Sequence, residues 1–208
     1  MKTLGARHSY RPADGHRLPH DPFNAIVAPR PIGWIGTRSA EGVANLAPYS
    51  FFNALAYRPP TIGFASDGEK DSLRNARETG LFSWNLVTRA LAERMNATSA
   101  GVGEEVDEFA LADLSRVDGP ELGVPVVAES PAIFECRVSD IHQLRTAGGE
   151  PMPNWFVIGE VVAVHLDPAL LRDGIYDTAA ARPVMRGGGP TAYFEALAVG
   201  RFDLRRPG

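Results

Sequence analysis

The chain carries a single cysteine in 208 residues, Cys136. No intrachain disulfide can form, and no cysteine-based metal site exists. Cys136 sits in the apolar strand pattern Ala132-Ile-Phe-Glu-Cys-Arg-Val138 and reads as a small buried hydrophobe rather than a redox thiol. Long apolar runs are missing too. No stretch approaches the ~18–20 residues of a membrane helix, and MKTLGARHSYRPADGHRLPHD has no apolar secretory core. The expectation is a cytoplasmic protein with no membrane partner. Basic excess is absent: the net charge is −4, which gives no electrostatic reason to expect nucleic acid. There is no Gly-x-Ser-x-Gly elbow and no His-Glu-x-x-His, so hydrolase and metalloprotease readings have no foothold. His8, His16 and His20 fall in a polar stretch with no fixed element to gather them around a metal. Gly101-Val-Gly103 lacks the strand, third glycine and helix of a dinucleotide fingerprint.

What is present is a soluble composition, 44% hydrophobic and 22% charged, with enough residues to bury a sizeable core. The 21 glycines and 17 prolines suit many turns between short strands. Residues 1–20 are polar and aperiodic and read as an extended arm; residues 21–208 read as one domain. Strands are expected at Ile26-Val27, 32–37, 43–47, 51–54, 61–65, 81–87, 132–144 and 155–166, the last two as hairpin partners. A strand at 199–204 is also expected.

Helical signals are short. Asp71 is a candidate N-cap and Gly80 a candidate C′ residue for a helix over 72–79. Thr88 is expected to cap a helix through Met95. Residues 96–130 read as irregular apart from a helical turn near 107–110, and Pro168 opens one more turn. Many strands without βαβ alternation predict a mainly β chain, a closed or nearly closed antiparallel barrel. Composition does not separate that barrel from a sandwich.

The organising stretch runs from Pro29 to Lys70. At Asn45-Leu-Ala-Pro-Tyr-Ser50 the apolar alternation gives way to small and hydrogen-bonding residues. Pro48 removes a donor that a strand would have used. The loop Ser66-Asp-Gly-Glu-Lys-Asp71 then delivers a lysine to a helix start. It is not a P-loop, because Glu69 and Asp71 intrude. Free amides around Ser72 with the charge of Lys70 would still attract a phosphate, although a solvated lysine beside its N-cap explains the residues equally.

The runs RPIGWIGT…GVANLAPYSFFNALAYRPP, KDSLRNARETGLFSWNLV, LAERMNATSA, VDEFALADL, AESPAIFECRV and VIGEVVAVH resemble the flavin reductase-like, FMN-binding split-barrel family, in order, from about Phe23 to Tyr193. The resemblance implies a Greek-key-like split barrel that binds FMN. It places Lys70 near the phosphate and Asn45, Ala47, Pro48, Tyr49 and Ser50 along the ring. Ser66, Asp71 and Ser72 are counted with the cofactor-binding residues, although Asp71 and Glu69 oppose a phosphate unless they point away. Asn96 and Thr98 match a family motif that either caps the preceding helix, the reading ranked first, or meets flavin across a subunit boundary. Arg186, beside three glycines, resembles a loop that approaches the cofactor; an ordinary loop is the other reading. Three functions stay open: an oxidoreductase passing electrons from NAD(P)H through flavin, a flavoredoxin-like electron carrier, or a cofactor-free interaction domain. A homodimer is expected, with the flavin sites at or near its boundary, because the long apolar strands and Tyr49–Phe52 exceed what one small barrel covers.

Overall fold

The structure is a computed structural model and describes residues 5–207. Seven strands form the main sheet: β1 (Gly33–Arg38), β2 (Ala44–Tyr49), β3 (Phe52–Tyr57), β4 (Pro60–Asp67), β5 (Leu81–Asn85), β6 (Ala132–Arg145) and β7 (Pro151–Leu166). Their order across the sheet is β2-β1-β5-β6-β7-β4-β3, antiparallel throughout. The two outermost strands, β2 and β3, are neighbours in sequence, separated only by Ser50 and Phe51. A two-residue link cannot span an open sheet of this width. The sheet must therefore curl until its edges meet, with the Ser50–Phe51 link closing the gap between β2 and β3. The result is the expected barrel, left open along one seam.

The pattern of each strand explains this curl. β1 is buried on both faces: Ile35 joins Phe64, Phe82, Cys136 and Val157 inside the barrel, whereas Trp34 joins Leu46, Leu91, Met95 and Phe109 in an outer layer. Cys136 is fully buried, as its strand pattern implies. The turn between β1 and β2 needs Gly42, whose φ of 92° lies in the left-handed region. Gly159 in β7 marks a close approach, since a Cβ there would stand 2.3 Å from the Phe82 ring. Pro48 lies on β2, an edge strand, where a missing N–H is tolerated.

Among the described residues five short helices decorate the barrel: α1 (Phe23–Ile26), α2 (Asp71–Thr79), α3 (Ala92–Ala97), α4 (Glu108–Leu111) and α5 (Thr178–Ala181). α2 ends on Gly80 in the left-handed conformation, as expected. None among the described residues is long and apolar enough to cross a membrane.

Several local expectations are corrected. Residues 23–26 form a helical turn rather than a strand, because the Asp21 carboxylate accepts from Phe23 N–H (2.9 Å) and Pro22 starts the turn. Lys70, not Asp71, is the N-cap of α2, and Asp71 instead pairs with Arg74 one turn on (2.7 Å). Thr88 makes no side-chain cap, and the helix after it divides into a 3-10 turn over Arg89–Leu91 and α3. Arg116–Asp118 and Pro125–Val127 form a small hairpin within the stretch expected to be irregular. Val199–Leu204 makes no strand; its first residues belong to a 3-10 turn over Ala198–Gly200, and its apolar side chains face solvent. Of the N-terminal arm, residues 5–20 hold one 3-10 turn (Pro12–Asp14) and are mostly exposed; residues 1–4 lie outside the described part.

Candidate functional site

The edge strand β2 meets the start of α2 through a buried polar network. Asn45 Nδ2 donates to Thr37 Oγ1 (3.1 Å) and to Ser72 Oγ (2.9 Å), and Asn75 Nδ2 donates to the same Thr37 oxygen (3.2 Å). Every member is buried, so the bonds form in a low-dielectric setting where they fix geometry firmly. Their effect is to hold the first turn of α2 against the sheet edge. Asn75 Oδ1 alone is left without a partner.

A cleft of about 430 Å³ opens where these elements converge. One wall is β2 (Asn45, Ala47, Pro48, Tyr49), a second is the helix start (Lys70, Asp71, Ser72), and a third is the loop from Thr98 to Val102. Leu46 N–H points away from β1 and donates to Glu108 Oε2 (3.0 Å). By the alternation of an antiparallel ladder, Pro48 nitrogen occupies the next outward position. The strand therefore offers the cleft an exposed edge interrupted by a proline.

At the helix start the first intrahelical bond is Arg74 N–H to the Lys70 carbonyl (3.0 Å). The amides of Asp71, Ser72 and Leu73 precede it and have no helical acceptor. With the positive end of the helix and the exposed ammonium of Lys70, they form an anion-attracting corner. Asp71 opposes it weakly, being neutralised by Arg74, which also pairs with Glu104 (2.9 Å).

Two residues of the cleft ionise abnormally. Burial pushes the Tyr49 phenol up; the neighbouring Ser72 and Ser66 hydroxyls oppose the rise, and Asp71 and Glu108 add to it. Burial likewise raises the Glu108 carboxyl; the Leu46 N–H opposes the rise, and Asp71 and Asp107 add to it. Sequence reasoning missed Glu108 as a cleft residue, since its backbone partner lies on a strand far away in the chain. The loop Ser99–Val102 was also missed. A raised pKa means the folded chain binds the proton more tightly than the unfolded chain does. The stability contributed by the neutral acid is then complete below the ordinary carboxylate range and lost as pH rises through the raised value. Glu108→Gln, which keeps an acceptor for Leu46, is therefore expected to raise the melting temperature at pH 7 and to make no difference near pH 4. Melting curves at the two pH values check this; equal effects at both would contradict it.

Asn45, Ala47, Pro48, Tyr49, Lys70, Asp71, Ser72 and Thr98 thus share one cleft. Thr98 lends it little side-chain chemistry, because its hydroxyl accepts from Trp34 Nε1 (3.0 Å) and donates to the Met95 carbonyl (2.7 Å). Ser50, Ser66, Asn96 and Arg186 do not line it. Ser50 lies on the seam, and its carbonyl accepts from Arg30. Ser66 is buried beneath the loop, donating to the Gly68 carbonyl (2.8 Å). Asn96 faces a different cleft with Arg89 and Tyr193. Arg186 folds onto the carbonyls of Gly189, Pro190 and Ala192 and stacks on Tyr193.

A flavin mononucleotide places two demands on such a site, a cation with free amides for the phosphate and an uncharged polar edge for the ring. The α2 corner meets the first and β2 the second. Glu108 opposes a phosphate, and Asp71 does so weakly because Arg74 pairs with it.

The comparisons with known proteins agree with the fold. An uncharacterized protein of Halalkalibacterium halodurans is 39% identical over 165 residues, 77% of this chain and 78% of its own. The crystal structure of nitrilotriacetate monooxygenase component B from Bacillus cereus superimposes with a TM-score of 0.86 at 28% identity, covering 96% of this chain and 100% of that one. The flavoredoxin of Desulfovibrio vulgaris (Miyazaki F) superimposes at 0.72 with 24% identity, over 99% of this chain and 96% of its own, which is a likeness of fold. The sequence profile of the flavin reductase like domain matches residues 27–184. That match spans the whole seven-stranded sheet with the α2 corner, and the chain belongs to the flavin reductase like domain family.

Proposed function

We propose that this chain is an FMN-binding redox protein, with the phosphate at the α2 corner and the ring along β2. The carrying observation is the convergence of free helix amides, Lys70 and an exposed strand edge on one cleft. Bound flavin supplies reversible one- and two-electron chemistry. The chain's own part is to hold it. Lys70 and the amides of Asp71–Leu73 bind the phosphate, the Asn45–Ser72 bond keeps those amides facing the cleft, and Pro48 with Tyr49 shapes the ring's edge.

Between the two redox roles, the carrier reading is preferred: electrons arrive from another protein, as in a flavoredoxin, rather than from NAD(P)H. The likeness to the Desulfovibrio flavoredoxin over nearly the full length supports it. Mixing FMN-loaded protein with NADH or NADPH and following flavin bleaching tests the choice. Slow bleaching with both nucleotides, against fast reduction by a low-potential protein donor, is expected; rapid bleaching by either nucleotide would restore the NAD(P)H-dependent enzyme.

A homodimer belongs to the same proposal. Val162, Val164 and Leu166 form an exposed apolar stripe on β7, and the tail exposes Val199, Phe202 and Leu204. Contiguous apolar surface of this kind is usually covered by a partner, and flavin at or near the boundary would be held by both copies. Light scattering should give about twice the 22.4 kDa chain mass; a monomer retaining full FMN would place the site within one chain.

A further inference from the structure

Arg30 is a buried cation with no carboxylate partner among the described residues. It is 9% exposed; carbonyl oxygens accept its hydrogen bonds, and its guanidinium carbon lies 5.5 Å from the centre of the Phe51 ring. Its Nε donates to Ser50 (3.1 Å), one terminal nitrogen to Asn24 (2.5 Å) and Val27, and the other reaches Gly187 at a long 3.4 Å. The charge that acts on it is Arg186, of the same sign, and burial together with Arg186 pulls its pKa below the ordinary value. A guanidinium has five N–H groups, so one remains for a further acceptor. Removing a charge from water without a partner is costly, and four carbonyl dipoles orient this cation without cancelling its charge.

Arg30 lies on a groove of about 760 Å³ whose other walls include Phe51, Phe52, Leu55, Leu144 and Phe156. Asn53 is the only other polar side chain on it, and it carries no carboxylate. An apolar trough with one fixed positive charge is complementary to a small hydrophobic anion. The groove also begins at Phe51, two residues beyond Tyr49 of the cleft, and the Ser50 carbonyl between them is bound by Arg30.

We propose that this groove binds a small aromatic or aliphatic carboxylate, with its anion on Arg30 and its apolar body among Phe51, Phe52, Leu55 and Phe156. Binding of that ligand does not rest on the flavin reading above.

Calorimetric titration of the full chain with 1-naphthoate and with neutral, near-isosteric 1-naphthamide, with and without FMN, tests the assignment. Naphthoate is expected to bind about tenfold or more tightly than the amide, the worth of a charge-assisted hydrogen bond. Arg30 braces four carbonyls, so its replacement can disturb folding. The variants are therefore made at Leu55, which is 45% exposed and lies at a bulge of β3. Leu55→Asp should abolish the preference for naphthoate and Leu55→Asn should keep it. Equal binding of the two ligands, no binding of either at millimolar concentration, or indifference to Leu55→Asp would overturn the proposal. So would a dimer that Leu55→Asp dissociates while neither ligand binds, since the groove would then be an interface between copies. Failure of FMN to bind, with the naphthoate preference intact, would count against the flavin reading and leave the carboxylate site standing.

Discussion

Replacing Lys70 with alanine is expected to weaken FMN ten- to a hundredfold while leaving riboflavin nearly unchanged. Only FMN carries the phosphate, and a charge-assisted contact contributes on the order of 1.5–3 kcal/mol, which is roughly that range in affinity. The exposure of Lys70 places the loss toward the lower end, because water and salt screen the contact. The helix amides remain in the variant, so binding should be reduced rather than abolished. Rising salt should erode the preference for FMN over riboflavin in the wild type and do so less in Lys70→Ala. Quenching of flavin fluorescence measures all four affinities. Equal losses for the two flavins would take Lys70 out of the phosphate site.

The second large effect is on folding. Glu135 in β6 is completely buried, and its carboxylate accepts from Glu121 N–H (3.1 Å), Leu122 N–H (2.6 Å) and His165 Nε2 (2.8 Å). It fastens the loop before residue 124 onto the barrel so closely that a Cβ at Gly119 would lie 2.4 Å from the carboxylate. Glu135→Ala leaves three donors without their acceptor and opens a cavity. Each buried donor left unsatisfied costs about 1–3 kcal/mol and the cavity adds to it, so a loss of about 3–5 kcal/mol is expected, a large fraction of the stability of a domain. Glu135→Gln retains one acceptor oxygen and should lose less. Urea unfolding monitored by tryptophan fluorescence gives both numbers. A loss below about 1 kcal/mol for the alanine variant, within the range of ordinary surface changes, would show that the loop does not depend on this carboxylate.

Glu135 also illustrates what the sequence conveys and what it withholds. Within Ala132–Val138 the alternation announces a strand, and Cys136 is buried as the pattern implies. Nothing local marks Glu135 as a hub, since its partners come from a loop and from the opposite strand of a hairpin. The same division holds for the candidate site. Asn45–Tyr49 and Lys70–Ser72 stand out by residue type, and their meeting follows from the resemblance. Glu108 and the Ser99–Val102 wall reach the cleft through tertiary contacts that no spacing encodes. Where local signals were misread, a neighbour decided the outcome. Asp21 and Pro22 turned 23–26 into a helix, and a 3-10 turn over Ala198–Gly200 takes up the start of 199–204. Arg186 stands out by the triple glycine after it, and its guanidinium is taken up by the carbonyls of Gly189, Pro190 and Ala192 in that same loop.

The central claim is that the cleft between β2, the start of α2 and the Thr98–Val102 loop holds FMN. Its most direct test is a fluorescence titration of FMN into flavin-free protein, followed by the visible spectrum of the complex. The account predicts saturation at one FMN per chain, with a shifted and structured flavin absorption band. Protein that stays colourless with excess FMN, and leaves flavin fluorescence unchanged, would contradict it.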